Sequence, residues 1–227
     1  MRLFDKSAIL TLMCVGAIAC AGCSTESKPS DPPLKTLSRS LVGVNRVVFI
    51  ELAERNSYPG IAAEMTTALS HALKARGLFG VDVIERSDPI CQELPAVGRA
   101  GLTPVQISAM RKTFQCDGIL LGALQDFRPH PRMQLGLSLR LLDLKRGRIV
   151  WAVDHVWDSA DKAVDKRVQA FFEEKLRSGY GHADWRIAMI SPKVFEKFIA
   201  YELAETLPEP AQASTGPTGT NQRSSAK

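Results

Sequence analysis

Between residues 43 and 178 the hydrophobic pattern switches repeatedly between strand and helix spacing. Asn45-Arg46 leads into VVFIELA, a continuous apolar run with β-branched residues that reads as a buried strand. Helical spacing follows, with Ile61, Met65, Ala68, Leu69, Ala72 and Leu73 on one face. Tyr58-Pro59-Gly60 places a proline near the first turn of that helix, and Gly77 suits a left-handed stop. VDVIER reads as a second strand, interrupted by Ser87-Asp88-Pro89. A long loop comes next. Thr103-Pro104 then caps and opens a helix running through Phe114, and GILLGALQDF reads as a third strand.

From RPHPR onward the architecture changes. Two prolines flank His130, so this segment predicts a turn rather than regular structure. MQLGLSLRLLDL follows with Leu135, Leu137, Leu139 and Leu141 on one face, a strict period of two. Asp143 to Gly147 reads as a turn, and RIVWAVDHVWD as the next strand. The last three strands therefore predict an antiparallel meander. SADKAV opens a further helix, with Ser159 or Asp161 as cap and Val164, Val168, Phe171 and Phe172 as its apolar side. Ser191-Pro192 opens a final helix carrying Val194, Phe195, Phe198, Ile199 and Leu203. The order is βαβαβββ followed by one or two C-terminal helices. It predicts an α/β fold with a mixed sheet, parallel in its first half and a meander in its second, and helices packed on it.

Both ends of the chain lack these rhythms. STESKPSDPPLKTLSRS is rich in Ser, Pro and Lys and reads as a flexible tether, spanning at most roughly 60 Å when extended. LPEPAQASTGPTGTNQRSSAK has almost no large apolar residues, and disorder is expected there. The first residues form a three-part pattern. MRLFDK carries Arg2 and Lys6, SAILTLMCVGAIA is apolar, and small Ala21 and Gly22 precede Cys23. That is the layout of a secretory signal, and its apolar run is shorter than the roughly 20 residues of a stable membrane span. The expected organisation is a signal peptide over 1–22, a lipidated tether over 23–42, a single α/β domain over 43–207 and a disordered tail over 208–227.

Cys20-Ala21-Gly22-Cys23 resembles the bacterial lipobox, whose pattern is Leu-Ala-Gly-Cys. Ala, Gly and the final Cys match, while Cys20 stands where Leu is usual. Ala17-Ile18-Ala19-Cys20 is a second, poorer register, and the polar Ser24-Thr25-Glu26 favour Cys23. The resemblance implies a diacylglycerol on the Cys23 thiol, cleavage before it, and an acyl chain of the palmitate class on the new amine. Each buried CH₂ contributes about 0.8 kcal/mol, so several chains on one residue anchor stably. Ser24 after the cysteine implies the outer membrane, with the domain facing the periplasm. Cys20 then leaves with the signal, and its C-x-x-C pair with Cys23 does not exist in the mature protein.

Composition alters this picture little. The chain has 227 residues, 45% of them hydrophobic, enough for a sizeable core. A net charge of +5 without a Lys/Arg block argues against nucleic acid as a partner. Cys91 and Cys116 are candidates for a disulfide in an oxidising compartment. They lie after the second strand and before the third, at opposite edges of a parallel pair, although the long loop leaves room to fold back. Arg128, His130 and Arg132 form a candidate partner-binding tip, because flanking prolines pre-order it and guanidinium groups suit carboxylates. The plainer alternative is a solvated turn.

Enzyme chemistry finds little support. Asp154, His155, Asp158 and Asp161 lie close in sequence, but neighbours on a strand face opposite ways, and Asp158 lies about 13 Å along from Asp154. No catalytic residue, metal site or cofactor is expected beyond the lipid on Cys23. Trp151 and Trp157 share the His155 face and read most simply as packing residues.

CDGILLGALQDFRPHP and LSLRLLDLKRGRIVWAVDHVWD resemble the domain shared by the TolB N-terminal module, the curli-secretion lipoprotein CsgG and the penicillin-binding-protein activator lipoprotein LpoB. The resemblance covers roughly residues 43–178. It implies a non-enzymatic, lipid-anchored envelope protein that acts on another envelope protein. A second expectation is an accessory part of a secretion or flagellar assembly, not itself a pore, because the long insertions of the curli channel are missing. A third, of a different class, is a ligand-binding or hydrolytic envelope protein using the Trp151/His155 face.

Overall fold

The computed structural model describes residues 34, 36–54, 58–92, 103–181 and 184–208. Its centre is a sheet of seven strands: β1 (Thr36–Ser38), β2 (Arg46–Ile50), β3 (Ala53–Glu54), β4 (Gly80–Ile84), β5 (Gly118–Arg128), β6 (Gln134–Asp143) and β7 (Arg148–Asp158). The spatial order is β1-β7-β6-β5-β2-β4, with β3 pairing β5 off this path. β2 runs parallel to β4 and β5, with Val48 opposite both Asp82 and Ile119. β5, β6 and β7 are successive antiparallel neighbours, with Leu120 opposite Leu141 and Leu139 opposite Val153. The fold is therefore the mixed α/β sheet expected from the alternating spacing, parallel on one side and a meander on the other.

Two helices start at side-chain caps expected from the sequence, Thr103 and Asp161. α1 (Ile61–Arg76) ends at Gly77, whose φ of 64° is the left-handed geometry that glycine adopts without strain. α2 (Pro89–Gln92) is a single turn. α3 (Pro104–Phe114) begins with a full capping box in which Thr103 and Gln106 exchange side-chain and backbone bonds. α4 (Lys162–Phe171) is capped by Asp161, which accepts the Ala163 N–H. A π-helical stretch over Phe172–Leu176 continues it into α5 (Arg177–Tyr180). The short α6 (Ile187–Ile190) leads into α7 (Pro192–Glu205).

Alternation along the strands sorts side chains into two cores. On one face, Val47 and Phe49 of β2, all four period-two leucines of β6, and Trp151, Val153 and Trp157 of β7 pack with α1, α4 and α7. Those leucines are 0–1% exposed, and burying each contributes about 1.5–3 kcal/mol. On the other face, Val48, Ile50 and Ile119 meet Met110 and Phe114 of α3. Parallel strands covered on both sides are thus apolar throughout, which is why VVFI shows no alternation. Gly122 of β5 marks a close approach. A Cβ there would lie 2.5 Å from Leu139 Cδ2 and 2.7 Å from the Ser138 carbonyl.

Two differences from the sequence expectation stand out. Residues 36–38, assigned to the tether, form β1 and pair antiparallel with β7, Leu37 opposite Ala152. An edge strand needs only backbone hydrogen bonds to its neighbour, so three polar-flanked residues join a sheet without a hydrophobic period. The run VVFIELA also breaks after Ile50, and its end forms β3 against β5. The segment expected to be a signal peptide, Cys23, most of the expected tether and the tail from 209 onward lie outside the described residues.

Candidate functional site

A concavity lies between α1 and α7. Its volume is about 750 Å³. Ala68, Ala72 and Ala75 of α1 and Ala204 of α7 line it with small side chains, and Phe171, Leu176 and Tyr201 add larger apolar surface. The two helices run with their C-terminal ends together, where Arg76 Nη1 meets Glu205 Oε1 at 3.3 Å. Glu64 and Glu196 line the opposite end.

Glu196 is the unusual member. It is 3% exposed, and its Oε1 has no hydrogen-bond partner among the described residues. Removal from water pushes its pKa up to about 7, the nearby Glu64 charge pushes the same way, and Lys193 partly opposes them. Arg76 Nε, near the far end, is likewise buried without a partner among these residues. Sequence periodicity missed this groove. Its one signal is an acidic residue inside the apolar run VFEKFI. His71, placed on the polar side of the first helix, is exposed and lines the groove.

The Trp151/His155 face is covered. Both tryptophans are 0% exposed and packed beneath α7. Trp151 Nε1 donates to Thr206 Oγ1 at 3.0 Å, and Trp157 Nε1 to Glu202 Oε2 at 2.5 Å. The other Glu202 oxygen accepts from Arg167 Nε. His155 meets Trp157 edge to face at 4.7 Å, and its burial lowers its pKa, favouring the neutral ring. It does not line the groove. Asp154 is exposed, while Asp158 and Asp161 accept backbone N–H groups at the start of α4. No three His, Cys, Asp or Glu residues converge as metal ligands among the described residues.

The RPHPR segment is the turn between β5 and β6, with Arg128, His130 and Arg132 all exposed. The His130–Pro131 peptide bond is cis. Arg128 Nη2 contacts Asp126 at 2.8 Å. The base of the turn is fixed by buried Met133, whose N–H donates to Ser159 Oγ and whose carbonyl accepts the Ser159 N–H.

Cys91 and Cys116 are free thiols. Cys116 is buried beside Arg46 and the Val48 backbone, whereas Cys91 neighbours Glu51, Arg86 and Asp88. Both belong to the core that holds Met110 and Phe114 of α3. Burial raises both thiol pKa values.

The fold and these sites define a mixed-sheet α/β domain with a groove on its helical layer and a proline-stiffened turn at one end of its meander. No protein-family model matches the chain, and no curated protein sequence matches it. Solved structures similar to it include the PelC dodecamer from Paraburkholderia phytofirmans, at 16% identity over 59% of this chain and 86% of that one, with a TM-score of 0.41. Lipoprotein GNA1162 from Neisseria meningitidis is similar at 12% identity, covering 57% of this chain and 96% of that one, TM-score 0.41. The LpoB C-terminal domain from Salmonella enterica, whose family the sequence resembles, is also among them: 16% identity, 52% of this chain, 87% of that one, TM-score 0.35. At such identities and scores, none of these likenesses carries an argument about activity.

Proposed function

We propose that this chain is an outer-membrane lipoprotein that faces the periplasm and acts without catalysis, as an interaction or assembly factor for another envelope protein. One observation carries this reading. A cationic start and a short apolar run lead into Cys20-Ala21-Gly22-Cys23, and polar residues follow at once. Lipid on Cys23 holds the domain at the membrane surface, and the tether sets its reach. The exposed Arg128-His130-Arg132 turn supplies a contact surface for acidic groups. The Arg128–Asp126 pair does not close that surface, because an exposed ion pair is held weakly and exchanges readily for a better acceptor.

Two substitutions test this. Cys23→Ser is expected to leave the chain unprocessed or soluble, and normal size with membrane fractionation refutes the anchor. If Cys20→Ser alone blocks processing, the cleavage register is the earlier one. Arg128→Glu with Arg132→Glu changes no core residue, so the domain folds. Loss of crosslinks to envelope proteins in intact cells is expected, and retention of every wild-type crosslink reduces the tip to a turn.

A further inference from the structure

We propose that the groove between α1 and α7 binds a small apolar ammonium compound whose cationic group pairs with Glu196. The groove has the volume and largely apolar lining of a ligand site, and one carboxyl group lies in it almost wholly removed from water. An ionised carboxylate without a partner is costly at such a place. Glu196 relieves that cost by taking up a proton near neutrality, and an ammonium group relieves it better by supplying both charge and N–H donors.

The charges around the groove favour this sign of ligand. From α1, Glu64 faces the same end as Glu196, and from α7, Lys193 offsets part of their charge. Lys197 also lines the groove. The other cations are matched: Arg76 by Glu205, and Lys175, from the π-helical stretch, by Glu174 at 2.7 Å. Arg76 lies twelve residues from Glu64, about 18 Å along a helix, so its buried Nε does not compete for the same part of a ligand. His71 lies between them on α1. At the Glu196 end an anionic ligand meets the carboxyl groups of Glu196 and Glu64 together with exposed Lys193 and Lys197, and Glu196, the one of the four that is buried, sets the sign. A neutral one supplies no charge to pair with the carboxylate, which then stays protonated near neutrality.

The experiment is calorimetric titration of the full chain in phosphatidylcholine nanodiscs, with empty nanodiscs as blank. The probes are 4-phenylbutylamine, 4-phenylbutanol and 4-phenylbutyrate, which share one apolar body. The amine is expected to bind at least tenfold more tightly than the other two. The ionised fraction of a group titrating at about 7 rises roughly tenfold between pH 6 and pH 8, so amine affinity rises by about that factor. Glu196→Gln is expected to abolish the preference for the amine. Ala72→Leu, which fills the groove, is expected to weaken all three probes. Equal binding of amine and carboxylate, no binding of the amine, or an unchanged preference in Glu196→Gln each overturns the proposal. If Glu196→Gln does not fold, the wild-type ratio of amine to carboxylate affinity decides alone.

Discussion

Replacing Glu196 by Gln should stabilise the domain, and by an amount that grows with pH. The side chain keeps its shape and loses its charge. In the unfolded chain a glutamate titrates near 4.5, and in the folded protein burial and Glu64 move Glu196 to about 7. Below pH 4.5 both states are protonated and Glu196 costs nothing through ionisation. As pH rises from there through 7, the unfolded state releases its proton first, and the wild type progressively loses stability. Each pH unit between the two values is worth about 1.4 kcal/mol, so the loss approaches about 3 kcal/mol at neutral pH. Solvent screening takes little from this, because the residue is 3% exposed. Between pH 5 and pH 8 the advantage of Glu196→Gln is expected to grow by about 2.5 kcal/mol. For a domain of this size that corresponds to roughly 5–10 °C in melting temperature. Thermal and urea unfolding of both proteins, followed by circular dichroism at pH 5, 6, 7 and 8, measures it. Titrating groups that do not interact with Glu196 are common to the pair and cancel in the difference. A difference that is the same at pH 5 and pH 8 would show that Glu196 ionises as freely folded as unfolded.

Gly122→Ala is expected to lower the urea midpoint with an unchanged slope, costing about 1–3 kcal/mol, because the new methyl group meets the Ser138 carbonyl at 2.7 Å and backbone cannot give way cheaply. An unchanged midpoint would refute that packing. Glu202→Leu removes the acceptor of the buried Trp157 N–H and one partner of Arg167, at about 1–3 kcal/mol, measured by the same unfolding. Reduction is expected to leave the protein's mass unchanged, and a native-state thiol reagent to label half-buried Cys91 before buried Cys116. A gain of two hydrogens on reduction would establish the bridge instead.

Local signals in the sequence determined most of the elements. The leucines at every second position from 135 to 141 define both a strand and its buried face, because a strand's side chains alternate by geometry alone. Thr103 and Asp161 mark helix starts, because a cap is a contact between residues two or three apart, and Pro192 marks another, because proline suits the first turn of a helix. The turn at 128–132 is equally local, since proline restricts its own backbone. Three features were decided only by tertiary structure. β1 exists because β7 offers a free edge, a property of the sheet that no pattern in residues 36–38 encodes. The tryptophans are closed off because α7, some 50 residues later, lies over them and supplies Thr206 and Glu202 as acceptors. Glu196 is buried because α7 packs on α1 as well as on the sheet, and the amphipathic pattern of one helix does not specify a second neighbour. The groove and the displaced titration of its carboxyl group follow from that packing, since desolvation depends on what surrounds a side chain in space rather than along the chain.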